Sequence, residues 1–142
     1  MLLSRLKTLT SVAVLAVASV AAHAADPMKA GFVYIGPTGD HGWTYSHDQG
    51  RKALEAQSGG KVTTTFVESV QETADAERVF RDLAQKGHKV IFGTSFGYMN
   101  QMLKVAKAFP KTTFMHATGY KTAPNMGIYD VRTYEGAYML GV

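Results

Sequence analysis

The feature that most constrains this chain is a hydrophobic period that switches repeatedly between two and about 3.6 residues. Compact apolar or β-branched runs at 29–36, 62–68, 89–95, 112–117 and 126–131 read as strands. Segments 42–57, 73–87 and 97–109 carry helical periodicity, and another helical pattern starts near 132. The order is β-α-β-α-β-α-β-β-α. Short strands alternating with helices build right-handed βαβ units, so the predicted class is α/β, a parallel sheet flanked by helices. The sharpest helix is 73–87, which aligns Ala76, Val79, Phe80, Leu83 and Ala84 on one stripe. Thr73 is placed to cap it, Asp75 and Glu77 suit its positive end, and Gly87 closes it. The next helix turns Met99, Met102, Leu103, Ala106 and Phe109 inward and stops at Pro110. No repeat interrupts this order, and only 120–125 reads as a linker.

The two ends follow other rules. Arg5 and Lys7, an apolar run, and Ala22-His23-Ala24 are the three parts of a secretory signal peptide. The apolar run is roughly 15 residues, short of a membrane span of about 20. Cleavage is expected after Ala24, leaving a periplasmic chain of about 118 residues, enough for one domain. The sequence has no cysteine. It therefore has no acceptor for a lipid at the cleavage point, no disulfide and no thiolate chemistry, and it is not expected to be a lipoprotein. The formal charge is +4, and setting aside Arg5 and Lys7 leaves +2. No run of Lys or Arg forms a nucleic-acid stripe, so no nucleic-acid partner is expected. At the other end Tyr134, Ala137, Tyr138 and Gly141 share a helical face, with no glycine cap or proline stop beyond. The expectation is one ligand-binding lobe over 25–142, ending inside a helix, from a longer protein.

In an open parallel sheet, ligands bind outside the carboxyl ends of the strands. The loops leaving those ends are 36–43, 68–72, 93–98 and 117–120. The first contains Gly36, Gly39 and Gly42, then Trp43, the only tryptophan of this chain. This Gly-x-x-Gly-x-x-Gly spacing differs from the Gly-x-Gly-x-x-Gly of a dinucleotide site, and Trp43 would obstruct a pyrophosphate. No Gly-Lys-Ser/Thr run exists for a phosphate loop. His41 and His47 are six apart, off any one helical face, so a zinc site is not expected. His41 reads as a cap or an exposed residue, His47 as packed near the sheet edge, His88 as surface and His116 as core. Gly93-Thr94-Ser95-Phe96-Gly97 matches the bare Gly-x-Ser-x-Gly template, which would make Ser95 a hydrolase nucleophile. Only His116 follows it as a base, and that pattern is short.

The alternative is a slot for a planar ligand. Trp43, Phe96 and Tyr98 offer rings for stacking, and Asp40 can accept from ring or exocyclic N–H groups. Ser95 and backbone N–H groups can donate. Trp43 and Phe96 could equally be core, and Asp40 a helix cap. Glu68 and Gly119, on the two remaining loops, complete the candidate set.

Residues 31–55, GFVYIGPTGDHGWTYSHDQGRKALE, with GTSFGY at 93–98 and YEGAYMLGV at 134–142, resemble the basic membrane protein family. These are the purine-nucleoside-receptor-like substrate-binding proteins of ABC importers. The resemblance covers 28–142. It implies a type I periplasmic-binding-protein fold of two lobes, of which this chain matches the first, and members at least about twice as long. It also implies a purine base or nucleoside as ligand, delivery to a membrane permease, no chemistry, no cofactor or metal, and a monomer at full length. Asp40 falls at the family's acidic pocket position, Trp43 at an aromatic one, and Ser95–Tyr98 on the pocket loop after the third strand. Many relatives are lipoproteins, whereas this chain lacks the cysteine. Nucleoside-type members often carry Asp-x-Ser-Phe-Asn where this chain has AspHisGlyTrpThr, which points to a free base. An exported hydrolase using Ser95 and a ligand-sensing subunit of a receptor remain the alternatives.

Overall fold

The computed structural model describes residues 26–141. The leader expected over 1–24 lies outside the described residues. Five strands form one sheet: β1 (Met28–Val33), β2 (Val62–Val67), β3 (Val90–Gly93), β4 (Thr113–Ala117) and β5 (Met126–Tyr129). Their spatial order is β2-β1-β3-β4-β5, and every neighbouring pair is parallel. Phe32 lies in register with Phe66 on one side and Phe92 on the other. The helices are α1 (Trp43–Gln57), α2 (Ala74–Gln85), α3 (Met99–Ala108) and α4 (Thr133–Gly141). The α/β class expected from the period changes is the one observed.

Strand alternation divides the core into two clusters. Val33, Ile91, Phe114 and Met126 pack with Ala76, Phe80 and Leu83 of α2 and Met102, Val105 and Ala106 of α3. Ala30, Phe32 and Tyr34 form the second cluster with Val62 and Phe92, on the face that carries α1. The stripe read on α2 is buried as expected, with Val79 at its margin, and Thr73 Oγ1 accepts from the Asp75 N–H at 3.3 Å. On α3 the buried residues are Met99, Met102, Val105 and Ala106, while Leu103 and Phe109 flank them.

Helix α1 seats itself differently, through charge. Asp48 and Arg51 are buried on it, 2.7 Å apart, and Lys52 reaches the other Asp48 oxygen at 2.9 Å. Burial pushes the Asp48 carboxyl up, but the bonds from Arg51 and Lys52 outweigh it and hold the group below its ordinary range. The Arg51 guanidinium also lies over the Phe66 ring at 4.7 Å and bonds Thr64 Oγ1 at 2.8 Å. This polar set fixes α1 against the β1–β2 edge.

Three expectations are corrected. Residues 97–109 are not one helix: a single 3-10 turn covers Phe96–Tyr98 before α3 begins, because the Tyr98 N–H bonds the Ser95 carbonyl. His88 is not a surface residue; it is buried, with Nδ1 2.8 Å from the Leu83 carbonyl. Strand β1 also ends three residues earlier, and β3 and β5 two residues earlier, than the apolar runs that announced them. Helix α4 has no buried residue among those described, with Tyr134 and Tyr138 on its open surface.

Candidate functional site

The chain leaves β1 toward one edge of the sheet through α1, and returns past it through α2 to β3. The adjacent carboxyl ends of β1 and β3 therefore form the switch point of the topology. Loop 36–43 and loop 93–98 meet there. The Trp43 indole N–H donates to the Thr94 carbonyl at 2.5 Å, joining the two loops across 51 residues of sequence. Thr94 is itself buried and bonds Val33 through both its N–H and its hydroxyl. Trp43 remains 37% exposed, so one part of the ring is anchored and another is open.

Asp40 organises the first loop. Its carboxylate accepts from the backbone N–H groups of Gly42 at 2.8 Å, Tyr45 at 2.9 Å and Thr44 at 3.1 Å. These are free donors at the start of α1, so Asp40 caps the helix from two residues upstream. The same bonds, that from Gly42 foremost, hold its carboxyl below the usual carboxylate range. His41 follows in the left-handed region at φ 53° and is exposed. Gly36 N–H bonds Thr44 Oγ1, and Thr38 N–H bonds Glu68 at 2.7 Å. Glu68 thus ties the β1 loop to the β2 loop.

The second loop is built around Glu72. The Ser95 hydroxyl and the Gly97 N–H both donate to one Glu72 carboxylate oxygen, the latter at 3.0 Å, and the Glu72 carbonyl accepts from Gln101. Phe96, between these anchors, is 55% exposed and lies beside Tyr120, ring centroids 6.3 Å apart. Tyr98 does not join the crevice. Its ring is fully buried, edge-on to Phe80 at 5.4 Å, and its hydroxyl bonds the Val70 carbonyl. Burial pushes that hydroxyl's pKa up. The turn at 96–98 rotates successive residues apart, so Phe96 faces out and Tyr98 in.

His116, at the end of β4, supports this loop from below. It is fully buried, and Nε2 lies 2.8 Å from the Ser95 carbonyl. Nδ1 has no hydrogen-bond partner among the described residues. Gly119 closes over it: a Cβ at Gly119 would stand 1.9 Å from that nitrogen, so only glycine fits. Gly119 is a packing residue for His116 in this arrangement. Ser95 is also not set as a nucleophile against an imidazole, because His116 meets its carbonyl while its hydroxyl is directed at Glu72.

Burial lowers the His116 pKa, with the bonds to the backbone of Ser95 and Phe96 only partly opposing it. The unfolded chain then takes up a proton near the ordinary histidine value of about 6.5 while the folded one does not. Stability is full above that pH and falls as pH drops from there toward the folded pKa. Chemical denaturation between pH 7 and 5 should show this slope, and His116→Gln should flatten it; an unchanged slope would remove His116 as the cause.

A separate cavity of about 390 Å³ lies on the sheet face beside α1, lined by Phe32, Leu54, Phe92 and Tyr129 among others. Three of its polar members are already engaged: Ser46 with the Gly42 carbonyl, His47 with that of Trp43, and Arg51 with Asp48. Few groups are left there to orient a polar ligand, which places the candidate site at the strand ends instead. His47 packs on Trp43, centroids 4.6 Å apart, and so forms the floor between the two. Among the described residues no group of three or more His, Asp or Glu side chains is placed to hold a metal ion. Among them, too, no helix is long and apolar enough to cross a membrane.

Sequence reasoning found both loops and the rings of Trp43 and Phe96. It missed Glu72 and Tyr120, whose roles depend on partners 23 to 25 residues away and across the crevice. The stretch Glu68–Glu72 carried no signal to choose between its two acids.

Open aromatic rings at the switch point of a parallel sheet suit the binding of a small molecule. Comparison with known proteins agrees. The family model described as ABC transporter substrate-binding protein, PnrA-like, matches residues 28–142. The chain belongs to this Bmp family. It is 60% identical over 122 residues to a purine-binding protein of Brucella abortus, covering 86% of this chain and 35% of that one. It is 46% identical over 116 residues to a Haloferax volcanii protein named for ABC transport and glucose binding, covering 82% of this chain and 29% of that one. The chain thus spans about a third of the length of these relatives. A solved solute-binding protein of an ABC transporter system from Aeropyrum pernix shares the fold, with TM-score 0.70 at 20% identity over 81% of this chain and 31% of that one.

Proposed function

We propose that this chain is the first lobe of an exported solute-binding protein that captures a purine base and presents it to a membrane permease. The observation that carries the reading is the pairing of open aromatic rings with acids that are already committed. Trp43 and Phe96 expose ring surface at the switch point. Both oxygens of Asp40, and one oxygen each of Glu68 and Glu72, are meanwhile taken by donors of loops 36–43 and 93–98. A sugar is recognised largely through hydrogen bonds to its hydroxyls, for which unengaged carboxylates would be expected. A flat heterocycle is recognised by its faces, and each stacked ring contributes about 1–3 kcal/mol. The relative named for purine binding, at 60% identity, supports the same choice over the one named for glucose. In this reading Trp43 and Phe96 stack on the ligand, Ser95 and backbone N–H groups orient it, and Asp40 and Glu68 fix the rim. The second lobe closes over the ligand, the permease engages the closed form, and no covalent chemistry occurs. Export through the basic and apolar leader, and a soluble periplasmic form without lipid, belong to the same proposal.

The test is calorimetric titration of the full-length protein with adenine, guanine, hypoxanthine, adenosine, inosine and glucose. Saturable binding of a free base, tighter than its nucleoside and with glucose silent, is the expected result. Binding of glucose alone would sink the purine assignment while leaving the fold and family intact.

A further inference from the structure

We propose that Glu72 is a positioning residue for the ligand slot, the group that locks the 95–97 turn and so aims the Phe96 ring. The inference rests on the purine reading for its consequence, but its geometry stands by itself. One carboxylate oxygen of Glu72 receives both the Ser95 hydroxyl and the Gly97 N–H. The two donors bracket Phe96, so a single acceptor restrains the residue between them from both sides. The Glu72 backbone is restrained in turn, since its carbonyl accepts from Gln101 Nε2 at 3.0 Å on α3.

Glycine at 97 is what lets the carboxylate reach this place. A Cβ there would stand 2.2 Å from Glu72 Cδ and 2.3 to 2.5 Å from its two oxygens, closer than any side chain tolerates. The carboxylate lies on the open flank of the 3-10 turn and fills the space a side chain would take. With the turn held, Phe96 projects beside Tyr120 with most of its ring exposed. Without it, the 3-10 turn keeps its backbone bonds from Tyr98 to Ser95 and from Met99 to Phe96, the Tyr98 hydroxyl bond to the Val70 carbonyl and the His116 contact beneath, but no side chain then bonds the donors on either side of Phe96. Such turns have poor hydrogen-bond geometry of their own.

Two readouts on the full-length protein test this. The first needs no ligand: amide hydrogen exchange at Gly97, followed by NMR. Glu72→Ala should speed exchange of that amide about tenfold, the factor expected on losing a hydrogen bond to a charged acceptor. Glu72→Gln keeps an oxygen that can accept from both donors and should restore protection to within about threefold. Gly97→Ala should expel the carboxylate and reproduce the Glu72→Ala behaviour. The second readout is calorimetric affinity for adenine, which should weaken about tenfold in Glu72→Ala and recover in Glu72→Gln. A general loss of folding is distinguished by resonances of core residues outside the turn, Ile91 and Phe114, which should not move.

Unchanged Gly97 exchange in Glu72→Ala would overturn the proposal. So would faster exchange with adenine affinity unaltered, because the turn would then be held without consequence for the slot. If the unaltered protein fails to bind adenine, the purine reading falls, and the exchange comparison alone decides whether Glu72 holds the turn.

Discussion

Phe80→Ala is expected to destabilise the fold by about 3–5 kcal/mol, the range for emptying a fully buried phenylalanine site. Phe80 has no exposed surface and stands where the two halves of the larger core cluster meet. Its ring lies edge-on to Tyr98 and under the glycine that ends β3, where an added Cβ would be 2.9 Å from its Cζ. Removing it leaves a void bounded by α2, β3 and the 3-10 turn. None of these can collapse freely, because Tyr98 is tied to the Val70 carbonyl and β3 is paired on both sides. A domain of this size has about 5–15 kcal/mol in total, so the loss is a large fraction of it. Urea denaturation followed by circular dichroism reads the effect directly. A loss below about 1 kcal/mol would mean the cavity relaxes and that Phe80 is not the keystone of the core.

The second large effect concerns binding. On the purine reading proposed above, Trp43→Ala should weaken binding of the base by about 10-fold to 100-fold, as a stacking platform of about 1–3 kcal/mol is lost. Two separate terms contribute. The exposed part of the ring no longer faces the ligand, and the Thr94 carbonyl loses the indole N–H that fixes loop 36–43 to loop 93–98. Trp43→Phe separates them, since it keeps an aromatic face and removes the bond. If stacking dominates, Trp43→Phe should retain most of the affinity. If cross-linking dominates, it should resemble Trp43→Ala. Full affinity in both variants would show that the ring is a packing element and would shift the stacking role to Phe96 and its neighbour Tyr120.

The fold was legible because its signal is local. Alternation of period along the chain set the order of elements, and the stripe through Ala76, Phe80 and Leu83 showed which face of α2 is buried. The site was legible only as loops. Strand ends must point to one edge of a parallel sheet, so loops 36–43 and 93–98 had to meet, and their aromatics were visible as residues. What each side chain does there depends on its partners. Tyr98 and Phe96 are equally aromatic and two apart, yet one turn of 3-10 geometry sends the first into the core and leaves the second outside. Asp40 and Glu72 are both acids on the functional edge, but three helix N–H groups claim the first and a serine and a glycine claim the second. Gly119 reads as a loop glycine in the sequence, and its need for glycine arises from a histidine ring that is already seated beneath it. His88 was misplaced because a polar residue before a strand reads as surface until the Leu83 carbonyl is found to cover it.

The indole bond between Trp43 and Thr94 has a thermodynamic consequence for any ligand that docks on the ring. A large side chain that must be immobilised during association costs about 0.5–1.5 kcal/mol of affinity. Here the ring is immobilised when the chain folds, by a bond to a buried carbonyl rather than by the guest. That part of the ordering entropy is lost once, at folding, and is not lost again at each capture and release. A wall that is stiff before a ligand arrives leaves release governed by the loss of the ligand's own contacts rather than by the re-melting of the surface it leaves.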